Sequence, residues 1–174
     1  MVPLRRFLVP YMCLLFFIDA RAGEPTSEYS STKTGKLLKQ STDKDEIDFF
    51  EVRCKGYGGY ELMFEGEDAR SWLNIKYGTI VVDLMNATFA LSPGHFPNKA
   101  NDVVEWRGLN VKGQFMPYAI IYRLNGQDDK NPEQLKSCLI VIKLDKENSA
   151  VVGYTEGKNE DADAKRLADQ YITK

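Results

Sequence analysis

Residues 137–144, SCLIVIKL, are apolar at nearly every position. A strand with one face in water alternates apolar and polar residues, so a run without alternation must be covered on both faces. Whatever fold this chain adopts has to place material above and below one central strand. Several shorter stretches are also strand-prone by β-branching and aromatic content: 47–54, 60–64, 71–78, 79–85, 103–108, 117–124 and 150–154. Trp72 is hard to assign to a face by alternation. Residues 91–101, LSPGHFPNKAN, read as a loop, as does the polar run 127–133. From Asp161 the spacing changes: Ala164, Leu167, Ala168 and Tyr171 form a helical stripe, with Asn159 placed to cap it. The pattern predicts an α+β fold over residues 46–174. It is mainly one antiparallel, twisted β-sheet of about six to eight strands, with a single C-terminal α-helix docked on it.

The chain opens MVPLRRFLVPYMCLLFFIDARAGEP. Arg5 and Arg6 precede an apolar run from Phe7 to Ile18, and Ala20 and Ala22 flank Arg21. A basic start, an apolar stretch of about a dozen residues and a small-x-small end are the marks of a signal peptide, with cleavage expected after Ala22. The run is short for a bilayer span, which needs about 20 apolar residues. No transmembrane segment is expected once residues 1–22 are removed. Cys13 lies inside the run and would leave with it. Residues 23–45 carry only Tyr29, Leu37 and Leu38 as large apolar groups. That is too little to offset the entropy of ordering them, so a disordered polar leader is predicted.

An exported chain meets oxidising conditions, and Cys54 and Cys138 then remain as a pair. The expectation is one disulfide, closing a loop of about 85 residues that a chain-entropy argument values at about 4.6 kcal/mol. Without residues 1–22 the chain keeps 20 basic and 24 acidic groups, a net charge of about −4. That balance speaks against a nucleic-acid partner.

Candidate sites follow from residue chemistry. Cys54 to Tyr60, CKGYGGY, has the glycine content of a phosphate loop, but such loops open a helix, and here YELMF follows. A glycine turn beside the disulfide fits better. His95 is the single histidine. It could serve as a general base, yet no GxSxG elbow accompanies it. Glu61, Glu65, Glu67 and Asp68 form an acidic cluster, suited to glycoside hydrolysis or calcium in principle and to a solvated turn by default. Two distant cysteines and one histidine do not complete a zinc site, and no cofactor is expected. Tyr57, Tyr60, Trp72, Trp106 and His95 are the candidate binding surface; most of the aromatics, Tyr118 and Tyr122 included, also suit core packing. Asn86-Ala87-Thr88 fits a glycosylation sequon.

Cys54-Lys-Gly-Tyr before an apolar strand, Trp106-Arg107-Gly108, Pro117-Tyr118-Ala119-Ile120, a second cysteine heading a Leu-Ile-Val strand and an Ala-rich final helix together resemble a family of small exported bacterial proteins of unknown function. The resemblance covers about residues 50–172 and implies export and the extent of the domain, with no activity attached. The leading expectation is therefore a non-enzymatic periplasmic or secreted binding module. Its partner would be a protein or a cell-envelope component, and an inhibitor of an extracellular enzyme is one form of it. The alternative is a hydrolase acting on cell-wall or glycan material.

Overall fold

In a computed structural model the chain is described over residues 23–41, 48–91, 95–128 and 130–172. The expected signal peptide lies outside the described residues, as do residues 92–94 of the predicted loop and the side chain of His95. Ten strands form: β1 (Pro25–Ser31), β2 (Lys36–Gln40), β3 (Phe49–Lys55), β4 (Tyr60–Glu67), β5 (Arg70–Tyr77), β6 (Ile80–Val82), β7 (His95–Val111), β8 (Gln114–Gln127), β9 (Leu135–Lys143) and β10 (Ala150–Thr155). Two short helices join them, α1 (Met85–Leu91) and α2 (Glu160–Asp169). Among the described residues no helix is long and apolar enough to cross a membrane.

The strands divide into two antiparallel sheets of five. The front sheet runs β1-β7-β8-β9-β10 and the back sheet β2-β3-β4-β5-β6. This corrects the α+β expectation of one sheet with a helix: the architecture is a β-sandwich. The error has a physical source in residues 23–45. Residues read as a disordered leader supply β1 and β2, one at an edge of each sheet. Edge strands gain main-chain hydrogen bonds from a single neighbour and keep polar side chains, so composition makes them look like linkers. β1 pairs with β7 without interruption from Pro25↔Leu109 to Ser31↔Val103, and every residue of β2 is exposed.

The β9 run explains its own composition. Cys138, Ile140 and Ile142 point into the core between the sheets, beside Trp106, Ile120, Leu62, Leu73 and Ile75. Leu139 and Val141 point the other way, into a second core with Tyr118, Ala119, Ile121 and the α2 residues Ala164 and Ala168. The two alanines are fully buried, small enough to let α2 lie close on the front sheet. The molecule thus has three layers, and β8 and β9 are covered on both sides.

Cys54 and Cys138 are free thiols, and the expected disulfide is absent. Cys54 sits on β3 of the back sheet, where its thiol donates to the carbonyl of Thr32 at 3.6 Å; Cys138 sits on β9 of the front sheet. Both share the apolar core but belong to opposing layers. Burial pushes both thiols up, Cys138 to about 12.

Candidate functional site

CKGYGGY is the turn from β3 to β4. Gly58 and Gly59 take left-handed conformations (φ +61° and +84°), and the amide of Tyr60 donates to the carbonyl of Tyr57 at 3.0 Å, closing a hairpin turn. A Cβ on Gly58 would lie 2.6 Å from the Pro117 ring, and one on Gly56 would lie 2.2 Å from the Trp106 ring. The glycines are there to let the turn rest on β7 and β8.

The turn gives its two tyrosines different partners at the edge of the core. Tyr57 closes over the core, edge-on to Trp106 at 5.6 Å and to Phe115 at 5.4 Å, with its hydroxyl donating to the carbonyl of Tyr29 at 3.2 Å. Tyr60 packs at the margin of the same core, on the face of β4 that carries Leu62 and Phe64, its ring 4.8 Å from that of Tyr77 and tilted by 49°. Its hydroxyl accepts from the amide of Lys146 at 3.0 Å. Lys146 is held in a left-handed conformation (φ +49°) that side-chain-bearing residues rarely adopt. Its ammonium stands 5.9 Å over the Tyr77 ring. Burial raises the Tyr60 hydroxyl above its ordinary pKa, against the Lys146 amide, which lowers it.

Tyr60, Tyr77 and Lys146 line an open cleft of about 370 Å³, with Gly58, Met116, Pro117, Tyr118, residues 143–145 and Tyr171 completing it. The wall formed by Tyr118 is rigid. Its hydroxyl donates to Asp169 at 2.5 Å, and Asp169 is gripped by both arms of the Arg107 fork at 2.8 and 3.0 Å. The open side is uncommitted. Among the described residues the side chains of Lys143 and Asp145 have no ion-pair partner, and neither does the Lys146 ammonium. Among the described residues the hydroxyls of Tyr77 and Tyr171 have no hydrogen-bond partner either. Aromatic faces, two ammonium groups, a carboxylate and free hydroxyls are the equipment of recognition.

The other expected surface residues lie elsewhere. Trp106 is fully buried, with its indole N–H donating to Ser30 at 2.8 Å. Trp72 is buried on the outer face of the back sheet, edge-on to Phe89 of α1 at 5.8 Å, which resolves its ambiguous alternation. His95 opens β7 opposite Gln127. Of the acidic cluster, Glu61 is engaged by Lys76 and by Arg53 at 3.6 Å, which hold its carboxyl below the usual range. Glu65, half-buried opposite Glu51, is raised by burial. Asp68 forms the β4–β5 turn with Ala69, both in left-handed conformations. Among the described residues no three His, Cys, Asp or Glu side chains gather as a metal site. Asn86 is exposed on α1, while the third sequon residue, Thr88, is buried against the hydroxyl of Tyr122 at 3.3 Å.

Only Tyr60, among the residues singled out by sequence as a binding surface, lies in the cleft. Tyr77, the segment Lys143–Lys146 and Tyr171 come from three separate stretches and share no local pattern. Comparison with protein-family models, with curated proteins and with solved structures finds no match to this chain.

Proposed function

We propose that this protein is an exported, non-enzymatic binding module that engages a cell-envelope component or an envelope protein through the tyrosine cleft. The observation that carries the reading is the contrast within the cleft. One wall is locked by the Tyr118–Asp169–Arg107 bonds, while among the described residues Lys143 and Asp145 at the mouth have no ion-pair partner and the Tyr77 and Tyr171 hydroxyls no hydrogen bond. A preformed wall limits the ordering cost of binding, and unpartnered polar groups at the mouth leave specificity to the ligand. The signal-like residues 1–22 and the resemblance to small exported bacterial proteins support the export part of the proposal. An amino terminus at Gly23 in protein recovered outside the cytoplasm is the expected result, and a retained Met1 would count against it.

Binding is tested by co-sedimentation of the protein with isolated envelope material. Tyr77→Ala removes an aromatic face at the mouth together with its contact to Tyr60; compared at a temperature where melting shows the variant folded, retention should fall about tenfold, in line with a contact of about 1.4 kcal/mol. Unchanged retention would remove the cleft from consideration.

A further inference from the structure

We infer that β1 is the latch of α2. The first strand and the last helix dock and release as one unit, joined by a closed ring of polar side chains that crosses β7.

The ring is built on alternation. Glu105 and Arg107 are two residues apart on β7, so both stand on the face of the front sheet that α2 covers. Ser27 lies opposite Arg107 in the β1–β7 register. Its single proton goes to the Glu105 carboxylate, and its oxygen accepts from the Arg107 guanidinium at 3.2 Å. Both β7 side chains also reach α2. Glu105 meets the Lys165 ammonium at 3.7 Å, and Arg107 donates to the two oxygens of Asp169 at 2.8 and 3.0 Å. Lys165 and Asp169 are one helical turn apart, so they close the circuit on one face of α2. Asp169 also accepts from Tyr118, the locked wall of the cleft.

Burial is what couples the two elements. Glu105 is 7% exposed and the Arg107 side chain 14%. Each of these charges takes one partner from β1, the shared Ser27 hydroxyl, and one from α2. With β1 docked, their ion pairs to the helix are held away from water. Without it that edge of β7 opens, and the same pairs fall toward the small worth of surface pairs. Without α2 the Glu105 carboxylate loses its ammonium and Arg107 its carboxylate, so Ser27 is left bonded to two uncompensated charges. Each element therefore docks more weakly when the other is absent.

Neither element has much else to hold it. β1 has a single neighbour in its sheet, and α2 is ten residues long, too short to be stable by itself. Units of this kind open below the threshold of global unfolding.

Amide exchange of the full chain tests the latch, read by mass spectrometry on residues 25–31, on residues 160–169 and on β4 as a reference in the back sheet. Asp169 has no bond to β1 among the described residues, since Arg107 stands between them. Asp169→Asn should nevertheless speed exchange in residues 25–31 by at least about fivefold, with β4 changed by less than about twofold. In the reverse direction, Ser27→Ala should speed residues 160–169 by a similar factor, and Ser27→Thr, which keeps the hydroxyl, should restore most of the protection. Asp163→Asn removes only the exposed pair with Arg166 and should leave β1 as in the parent. Lys165→Met opens the ring at its other helical corner and should repeat the Asp169→Asn result, which keeps the test decisive if that variant does not fold. Residues 25–31 unchanged in both ring variants, β4 accelerated as much as β1, or β1 accelerated equally by Asp163→Asn would each overturn the inference.

Discussion

Ser30 contributes almost no volume to the core, yet it satisfies the indole N–H of Trp106, which is the largest fully buried side chain. Ser30→Ala leaves that donor unpaired in an apolar setting and should cost about 1–3 kcal/mol, measured by denaturant unfolding. Ser30→Thr keeps a hydroxyl and should recover part of the loss. The two cysteines make the opposite kind of statement. Buried thiols with raised pKa values carry almost no thiolate near neutral pH, so neither should react with a thiol reagent while the protein is folded. Unfolding without reductant should release two reactive groups from the chain beyond Ala22, and finding none would restore the disulfide. Sequence could show that two cysteines remained to pair. It could not show that the two thiols stay unbonded within the one core they share.

At the scale of elements, α2 is fastened by three ion pairs as well as by its alanines: Arg107–Asp169 at 2.8 Å, Arg123–Glu160 at 2.5 Å and Lys165–Glu105 at 3.7 Å. Burial alone would raise the Asp169 carboxyl, but hydrogen bonds from Arg107 and Tyr118 outweigh it and hold it below the usual range. A carboxyl whose folded pKa is depressed contributes stability that is fully present above its unfolded value. That stability is lost as pH falls through the folded one. Docking of α2 should therefore weaken below about pH 4, seen as faster amide exchange in residues 160–169 than in β8 and β9. Asp169→Asn should remove most of this acid sensitivity, and an unchanged profile would assign it to other carboxylates. The helix and the β9 run were both legible in the sequence because each buries a face with a regular period. β1 and β2 were not. Their order comes from the neighbouring strand and is invisible in their own polarity. The strand-prone stretch 79–85 ends early, β6 stopping at Val82, and α1 begins at Met85, so the helix was left almost wholly unassigned.

At the scale of the molecule, the sandwich assembles the cleft. Tyr60 ends a hairpin, Tyr77 ends β5, Tyr118 lies within β8, residues 143–146 leave β9, and Tyr171 follows α2. Strand ends collect at the ends of a sandwich, so residues spread over more than a hundred positions become neighbours there. No spacing rule connects them, which is why single stretches pointed to CKGYGGY and to the tryptophans. The glycine turn belongs to the cleft only through Gly58 and Tyr60; its main task is to bring the β3–β4 corner onto Pro117 and Trp106. The pairing of β1 with β7 also sets an order of events in time. The strand beginning at Pro25 emerges from the ribosome early, but its only partner ends at Val111. Throughout the intervening synthesis that edge has nothing to bond to, and Trp106 has no hydroxyl to receive its proton until the two ends meet. The part of the domain made first is among the last to find its place.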